Sequence, residues 1–176
     1  MGEFNFKHFP ELTTRRLILR QPCLDDSKSV YLLRTNKKIN KLISRKIPQS
    51  ITETTKFIAE LNNRFEDRKN IFWVIVSKEY NQVIGSIGYQ NFNNDFSYAE
   101  IGYELHPDLH KKGFMNESCE AVLNFGLHTM NLKIIEAFTH KDNEASKALL
   151  KKYQFVFQIK RREKGFENNR IFTLKK

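Results

Sequence analysis

Residues 97–117 read SYAEIGYELHPDLHKKGFMNE, and the reading of this stretch decides the fold. Alternation from Tyr98 to Leu105 predicts a strand, and Pro107 ends its ladder because proline has no N–H to donate. A short basic loop follows. Asn116 and Glu117 then open an amphipathic segment in which Cys119, Val122, Leu123, Gly126 and Met130 fall at helical spacing. A strand, a Lys-Lys-Gly loop and a helix N-terminus in this order form a cradle for an anion. The free N–H groups of the first turn and the positive end of the helix dipole both face what sits there. An ordinary strand-to-helix connection has the same order, so the loop takes its meaning from its surroundings.

Upstream, Thr14–Arg20 (TRRLILR) predicts a first strand. Leu24 to Leu33 carries Asp25, Asp26 and Ser27 ahead of an apolar-periodic run, a helix-start signal. Ser50 and Glu53 have capping-box spacing, and Phe57, Ile58, Leu61 and Phe65 line one face of the helix that follows. Between these helices, Asn36 to Gln49 is polar, basic and irregular, a segment suited to shaping a substrate pocket. Ile71–Ser77 and Gln82–Phe92 predict two strands of a meander that leads, through Asn93-Asn94-Asp95, into the strand at Tyr98.

Downstream, a helix over 117–130 is followed by a strand at Lys133–Thr139. Asn143 to Tyr153 predicts a short helix with Ala145, Ala148 and Leu149 turned inward. Phe155–Arg162 and Arg170–Leu174 predict a closing hairpin. The order β-α-α-β-β-β-α-β-α-β-β implies one α+β domain over residues 1–176, with a mixed sheet and helices on both faces.

A chain of 176 residues with 15 Phe and 6 Tyr has material for a substantial core, so disorder is not expected. The net charge of +10 favours anionic partners such as nucleic acid, the ribosome or a polyphosphorylated cofactor. The lysines are spread along the chain, without the basic stripe and stacking aromatics of a single-strand nucleic-acid binder. No apolar run approaches the ~20 residues that span a bilayer, so no membrane partner is expected. The opening MGEFNFKHFPEL lacks a signal-peptide core, and Phe6 breaks the myristoylation pattern. Cys23 and Cys119 form no CxxC motif and read as free thiols of a reducing, cytoplasmic protein. No His or Cys cluster has metal-ligand spacing, so no metal is expected.

The order and residues together resemble the GNAT superfamily of acyl-CoA-dependent N-acetyltransferases, with the closest likeness to the RimJ/RimL ribosomal-protein N-terminal acetyltransferase branch. Thr14–Arg20 resembles that branch's opening T-x-R-L-x-L-R. Ile84–Tyr89 (IGSIGY) resembles its IG-x-IG strand, and Ala99–Pro107 (AEIGYELHP) its AEIGY-x-L-x-P. Asn143–Ser146, Leu149 and Phe155 resemble N-x-x-S-x-x-L-x-x-x-x-G-F. The superfamily's cofactor loop, Q/R-x-x-G-x-G/A, stands here as His110-Lys111-Lys112-Gly113-Phe114-Met115, so its first and last positions depart from the pattern. Gln154 replaces the Gly before Phe155, and Leu150 fills the slot where many members carry an acidic tyrosine.

The resemblance implies direct attack of a primary amine on the thioester of acetyl-CoA, with no metal. It places pantetheine along Tyr103 and Leu105 like an added strand. It puts the pyrophosphate on the loop amides of Lys111, Lys112, Gly113, Met115 and Asn116, with His110 and Phe114 as further cofactor-binding residues of the same loop. Asn143 would hydrogen-bond pantetheine or cap its own helix. Ser146 would stabilise the departing thiolate or bond its own backbone. Glu100, Glu104 and Glu163 are the candidate bases, and an unbroken strand puts Glu100 and Glu104 on one face. The acceptor implied is a protein N-terminus, with ribosome association, or a small-molecule amine. The chain would act as a monomer or homodimer. The alternative is a non-catalytic CoA-binding or ribosome-associated module of the same fold.

Overall fold

The computed structural model describes residues 4–176. Met1, Gly2 and Glu3, on which part of the leader and acylation reading falls, lie outside the described residues. The strands are β1 (Leu12–Thr13), β2 (Leu17–Arg20), β3 (Asn70–Ser77), β4 (Gln82–Gln90), β5 (Tyr98–Leu105), β6 (Ile134–His140), β7 (Val156–Phe157) and β8 (Asn169–Lys175). The helices are α1 (Ser27–Thr35), α2 (Lys37–Asn40), α3 (Ile51–Glu66), α4 (Phe114–Asn124) and α5 (Glu144–Lys152). All eight strands form one sheet in the order β1-β2-β3-β4-β5-β6-β8-β7. Every pairing is antiparallel except β5 with β6. This is the mixed, mostly antiparallel α+β sheet that the sequence predicts.

Strand alternation sends the two sets of side chains into two cores. Trp73, Ile75, Ile87, Tyr89 and Ile101 meet Val122, Leu123 and Met130 from the α4 segment and Leu150 from α5. Val74 and Val76 meet Val30 of α1 and Ile58 of α3 on the other face. The parallel pairing of β5 with β6 covers only Tyr98–Glu100 against Ile134–Glu136. Beyond Glu100 the two strands part, which leaves Ile101–Leu105 paired on the β4 side alone. Among the described residues, no helix is long and apolar enough to cross a membrane.

Several boundaries differ from the sequence reading. Helix α4 starts at Phe114, ahead of Asn116, because Gly113 at φ 82° turns the chain directly into the helix. The helix then widens into a π-turn at Phe125–Thr129. The cause is Tyr89, whose hydroxyl donates to the Val122 carbonyl at 3.0 Å and lies where a side chain at position 126 would stand; only Gly126 leaves that room. The irregular segment at 36–49 contains α2, capped by the Asn36 side chain. The cap of α3 is a Ser50 hydroxyl accepting from the Glu53 N–H, while the Glu53 carboxylate reaches Gln49 instead of Ser50. The strand predicted at Phe155–Arg162 shrinks to Val156–Phe157, and Arg161 turns back to pair with Glu136. Helix α5 buries Ser146 and Leu150, not Ala145 and Ala148, which are exposed.

Candidate functional site

A groove opens where β5 leaves β6. It has a volume of about 340 Å³ and runs between the free part of β5, the start of α4, α5 and the α2 segment. The exposed edge of Tyr103–Leu105 forms one wall, and an extended chain can pair with such an edge. The loop 110–113 forms one end. Lys111 at φ 61° and Gly113 at φ 82° both have positive φ, which bends the loop sharply ahead of the N-terminus of α4. A side chain at Gly113 would be strained by that φ and would crowd the Arg16 guanidinium.

The loop is held from the residue just ahead of β2. Arg16 donates to the Lys112 carbonyl at 3.0 Å, pairs with Glu117 at 2.7 Å and lies 4.4 Å over the Phe114 ring. Glu117 also accepts from the Thr14 hydroxyl at 2.6 Å and the Arg16 backbone at 2.8 Å. Burial raises the pKa of Glu117, but these hydrogen bonds outweigh it and leave the carboxyl below its ordinary value. The TRRLILR stretch predicts a strand and carries part of the family resemblance, but it does not point to the loop. Its role in fixing the loop depends on a contact across 101 residues, which no local pattern shows.

His110, Lys111, Gly113, Phe114, Met115 and Asn116 line the groove. His110 is exposed, and its Nε2 donates to the Leu105 carbonyl at 3.1 Å, which clips the loop to the end of β5. Met115 packs partly against the core and also lines the groove. Lys112 is exposed and does not line the groove; its contribution is the carbonyl held by Arg16.

Asn143 lines the groove and also caps α5, its Oδ1 accepting from the Ser146 N–H at 3.1 Å. Ser146 is buried, and its hydroxyl meets the Tyr103 hydroxyl at 2.8 Å. Burial raises the Tyr103 phenol, so it stays protonated and able to donate a hydrogen bond. Leu150 is buried in the core. Tyr153 donates to the Asn116 carbonyl at 2.8 Å and does not line the groove. The one phenol at the groove therefore comes from β5, among the described residues. Cys119 is buried and its thiol is pushed up to about 12, too weakly acidic to act as a nucleophile near neutral pH.

A second cavity, of about 150 Å³, lies on the α1–α3 face of the sheet. Gly88 and Gly102 face each other across β4 and β5 and form a floor without side chains. Arg34, Arg45, Asn70, Ser86 and Glu104 surround it. Glu104 is buried, accepts from the Ser86 hydroxyl at 3.3 Å and pairs with Arg45 at 2.7 Å. Arg45 is in turn fixed by the Asn40 side chain at 2.9 Å. The two cavities meet: Ile43, Tyr103 and Glu104 line both.

The candidate carboxylates separate on geometry. Glu100 and Glu104 do share a face, opposite Gln90 and Ser86, but lie about 13 Å apart along the strand. Glu100 lines neither cavity and accepts from Asn91 at 2.9 Å; burial raises its pKa. Glu163 lines neither cavity and accepts from Asn169 at 2.7 Å. No group of three or more His, Cys, Asp or Glu among the described residues is placed to hold a metal.

Residues 16–156 match the acetyltransferase (GNAT) domain family. YoaA of Bacillus subtilis strain 168, described as an uncharacterized N-acetyltransferase, is 30% identical over 160 residues, covering 91% of this chain and 90% of that protein. Among solved structures, the ribosomal-protein-S5-alanine acetyltransferase of Vibrio fischeri superposes with a TM-score of 0.82 at 17% identity, covering 94% of this chain and 96% of that one. The ribosomal L7/L12 α-N-protein acetyltransferase RimL, solved with coenzyme A, gives a TM-score of 0.79 at 16% identity, covering 94% and 98%. The family match, the relative of nearly equal length and the parted sheet agree: this chain belongs to the GNAT family of N-acetyltransferases.

Proposed function

We propose that this chain, acting as one domain, transfers the acetyl group of acetyl-CoA directly to a primary amine, with the cosubstrate in the groove and the amine in the second cavity. The observation that carries this reading is the junction of the two cavities at Tyr103 and Glu104. The left-handed loop suits the pyrophosphate, and the free edge of β5 suits the pantetheine arm.

The amine nitrogen bonds to the thioester carbonyl carbon, the C–S bond breaks, and sulfur leaves with the electron pair. Glu104 is the candidate to take the amine's proton, because it alone of the three carboxylates reaches both cavities. Ser146, backed by the Tyr103 hydroxyl, is the candidate to donate a hydrogen bond to the departing thiolate. Cys119, buried and with its thiol pushed up to about 12, is not suited to carry the acetyl group.

The test is calorimetric titration with acetyl-CoA followed by thiol release across a panel of primary amines. Binding with amine-dependent release is the expected result. No binding at millimolar acetyl-CoA sinks the reading, and binding without release by any amine favours a non-catalytic CoA-binding module.

A further inference from the structure

The second cavity carries an unmatched positive charge. Its charged groups are Arg34, Arg45 and Glu104. Glu104 neutralises Arg45 at 2.7 Å, and that pair is nearly buried. Arg34 is left over. Its half-buried guanidinium closes no ion pair and donates no hydrogen bond among the described residues, and lies 3.9 Å over the Phe57 ring. Burial, and then Arg45, pull its pKa to about 10 against the opposing pull of Glu104, which leaves it charged at neutral pH. A half-buried cation without an anion is costly, and a ligand that brings one recovers that cost.

Asn70, another residue of this lining, also has an atom without a partner. Asn70 is 3% exposed, and its side-chain oxygen accepts from nothing. That oxygen is fully enclosed by protein, so recognition of a ligand in the cavity falls to Arg34. The cavity is well below the roughly 300–1,000 Å³ of sites for drug-sized ligands. Its bare floor at Gly88 and Gly102 suits a flat, compact group.

We infer that the acceptor is a small amino carboxylate, with its carboxylate on Arg34 and its amine directed to Glu104. This inference rests on the acetyl transfer proposed above. The products are the N-acetylated amino carboxylate and the CoA thiol, and the amine's proton leaves through Glu104. A polyamine fits badly, because its further ammonium groups would stand beside Arg34 with no carboxylate to spare. A peptide N-terminus fits less well, because its first carboxyl is tied up as a neutral amide.

The experiment measures kcat/KM by thiol release for a set of free amino carboxylates, their primary amides, dipeptide amides and a polyamine. The carboxylates are expected to exceed their amides by about 10- to 100-fold, the usual yield of a hydrogen-bonded charge pair. Arg34→Met is expected to bring that ratio close to one, with acetyl-CoA titration reporting that the variant is folded. If Arg34→Met fails to bind acetyl-CoA, Arg34→Lys, which keeps the charge without the planar fork, is expected to lower the ratio. Amides, dipeptides or the polyamine used as well as the carboxylates overturn the inference, as does a ratio untouched by these variants. Acetyl-CoA binding with release by no amine at all overturns the transfer reaction itself.

Discussion

The groove beside β5 is lined largely by Ile39, Leu42, Leu105, Leu109, Phe114 and Met115, whereas the cavity on the opposite face is ringed by Arg34, Arg45, Glu104, Ser86 and Asn70. One strand serves both, because its odd residues face α4 and its even residues face α1 and α3. The apolar wall makes few specific demands and leaves recognition to backbone groups, so it suits an invariant cosubstrate. The charged ring discriminates by charge, because an unmatched buried charge is expensive. The difference separates the residues expected to govern acetyl-CoA binding from those expected to govern acceptor choice.

The largest expected effect comes from Glu104→Gln, which keeps the shape and removes the proton acceptor. A fall in kcat of about 10²–10⁴ is expected, with acetyl-CoA affinity nearly intact in a titration. A kcat within twofold of the parent would remove Glu104 from the chemistry. Gly113→Glu attacks the other side of the comparison, by backbone strain at φ 82° and by repulsion of a pyrophosphate. Its acetyl-CoA Kd is expected to rise about 100-fold, as repulsion worth several kcal/mol implies. An unchanged Kd would rule out the loop as the anion cradle.

Gly102→Val sharpens the distinction. A Cβ at this position meets nothing within 4 Å, and Gly102 lines the proposed acceptor cavity. The acceptor KM is expected to rise about tenfold in steady-state kinetics while acetyl-CoA titrates as before, since ~1–3 kcal/mol is typical of overfilling a site. Ser146→Ala is expected to lower kcat by about tenfold, less than loss of an oxyanion donor, without a matching loss of acetyl-CoA affinity. The reverse pattern would assign Ser146 to binding.

The smallest effect is a pH dependence outside both cavities. Glu136 is buried, which raises its pKa, but hydrogen bonds from Arg161 at 2.9 Å and Thr173 at 2.8 Å bring it below its ordinary 4.5. Asp26, held by Arg20 at 2.8 Å, is likewise below its ordinary 3.8. Depressed carboxyls stabilise the fold above their unfolded values and lose that contribution as pH falls through the folded ones. Denaturant midpoints are therefore expected to be flat from pH 7 to 5 and to fall below about 4.5. Glu136→Gln should flatten part of that fall.

Much of this architecture follows from local pattern. Pro107 ends β5, Gly113 turns into α4, and the alternation of AEIGYEL sets which residues face which core. The site was less legible because its key contacts join distant segments. Arg45 meets Glu104 from a stretch with no periodicity, and Arg16 reaches Glu117 across 101 residues. The inward face of α5 was misread because alanines at helical spacing look like core. The polar Ser146 turns inward because the Tyr103 hydroxyl is there to satisfy it. Asn70 falls just ahead of the strand predicted at Ile71, and an orphaned carbonyl is visible only once its neighbours are known.

The Arg16 clamp ties the anion loop to an edge region of the sheet. Binding and local folding there share one free energy, so reciprocity applies. An anion that tightens the loop also suppresses the opening of β2, and loosening β2 weakens the hold on the anion. The N-terminal strands are thus expected to report occupancy of a site they do not line, with amide exchange along Leu17–Arg20 as the gauge of the proposed cosubstrate binding.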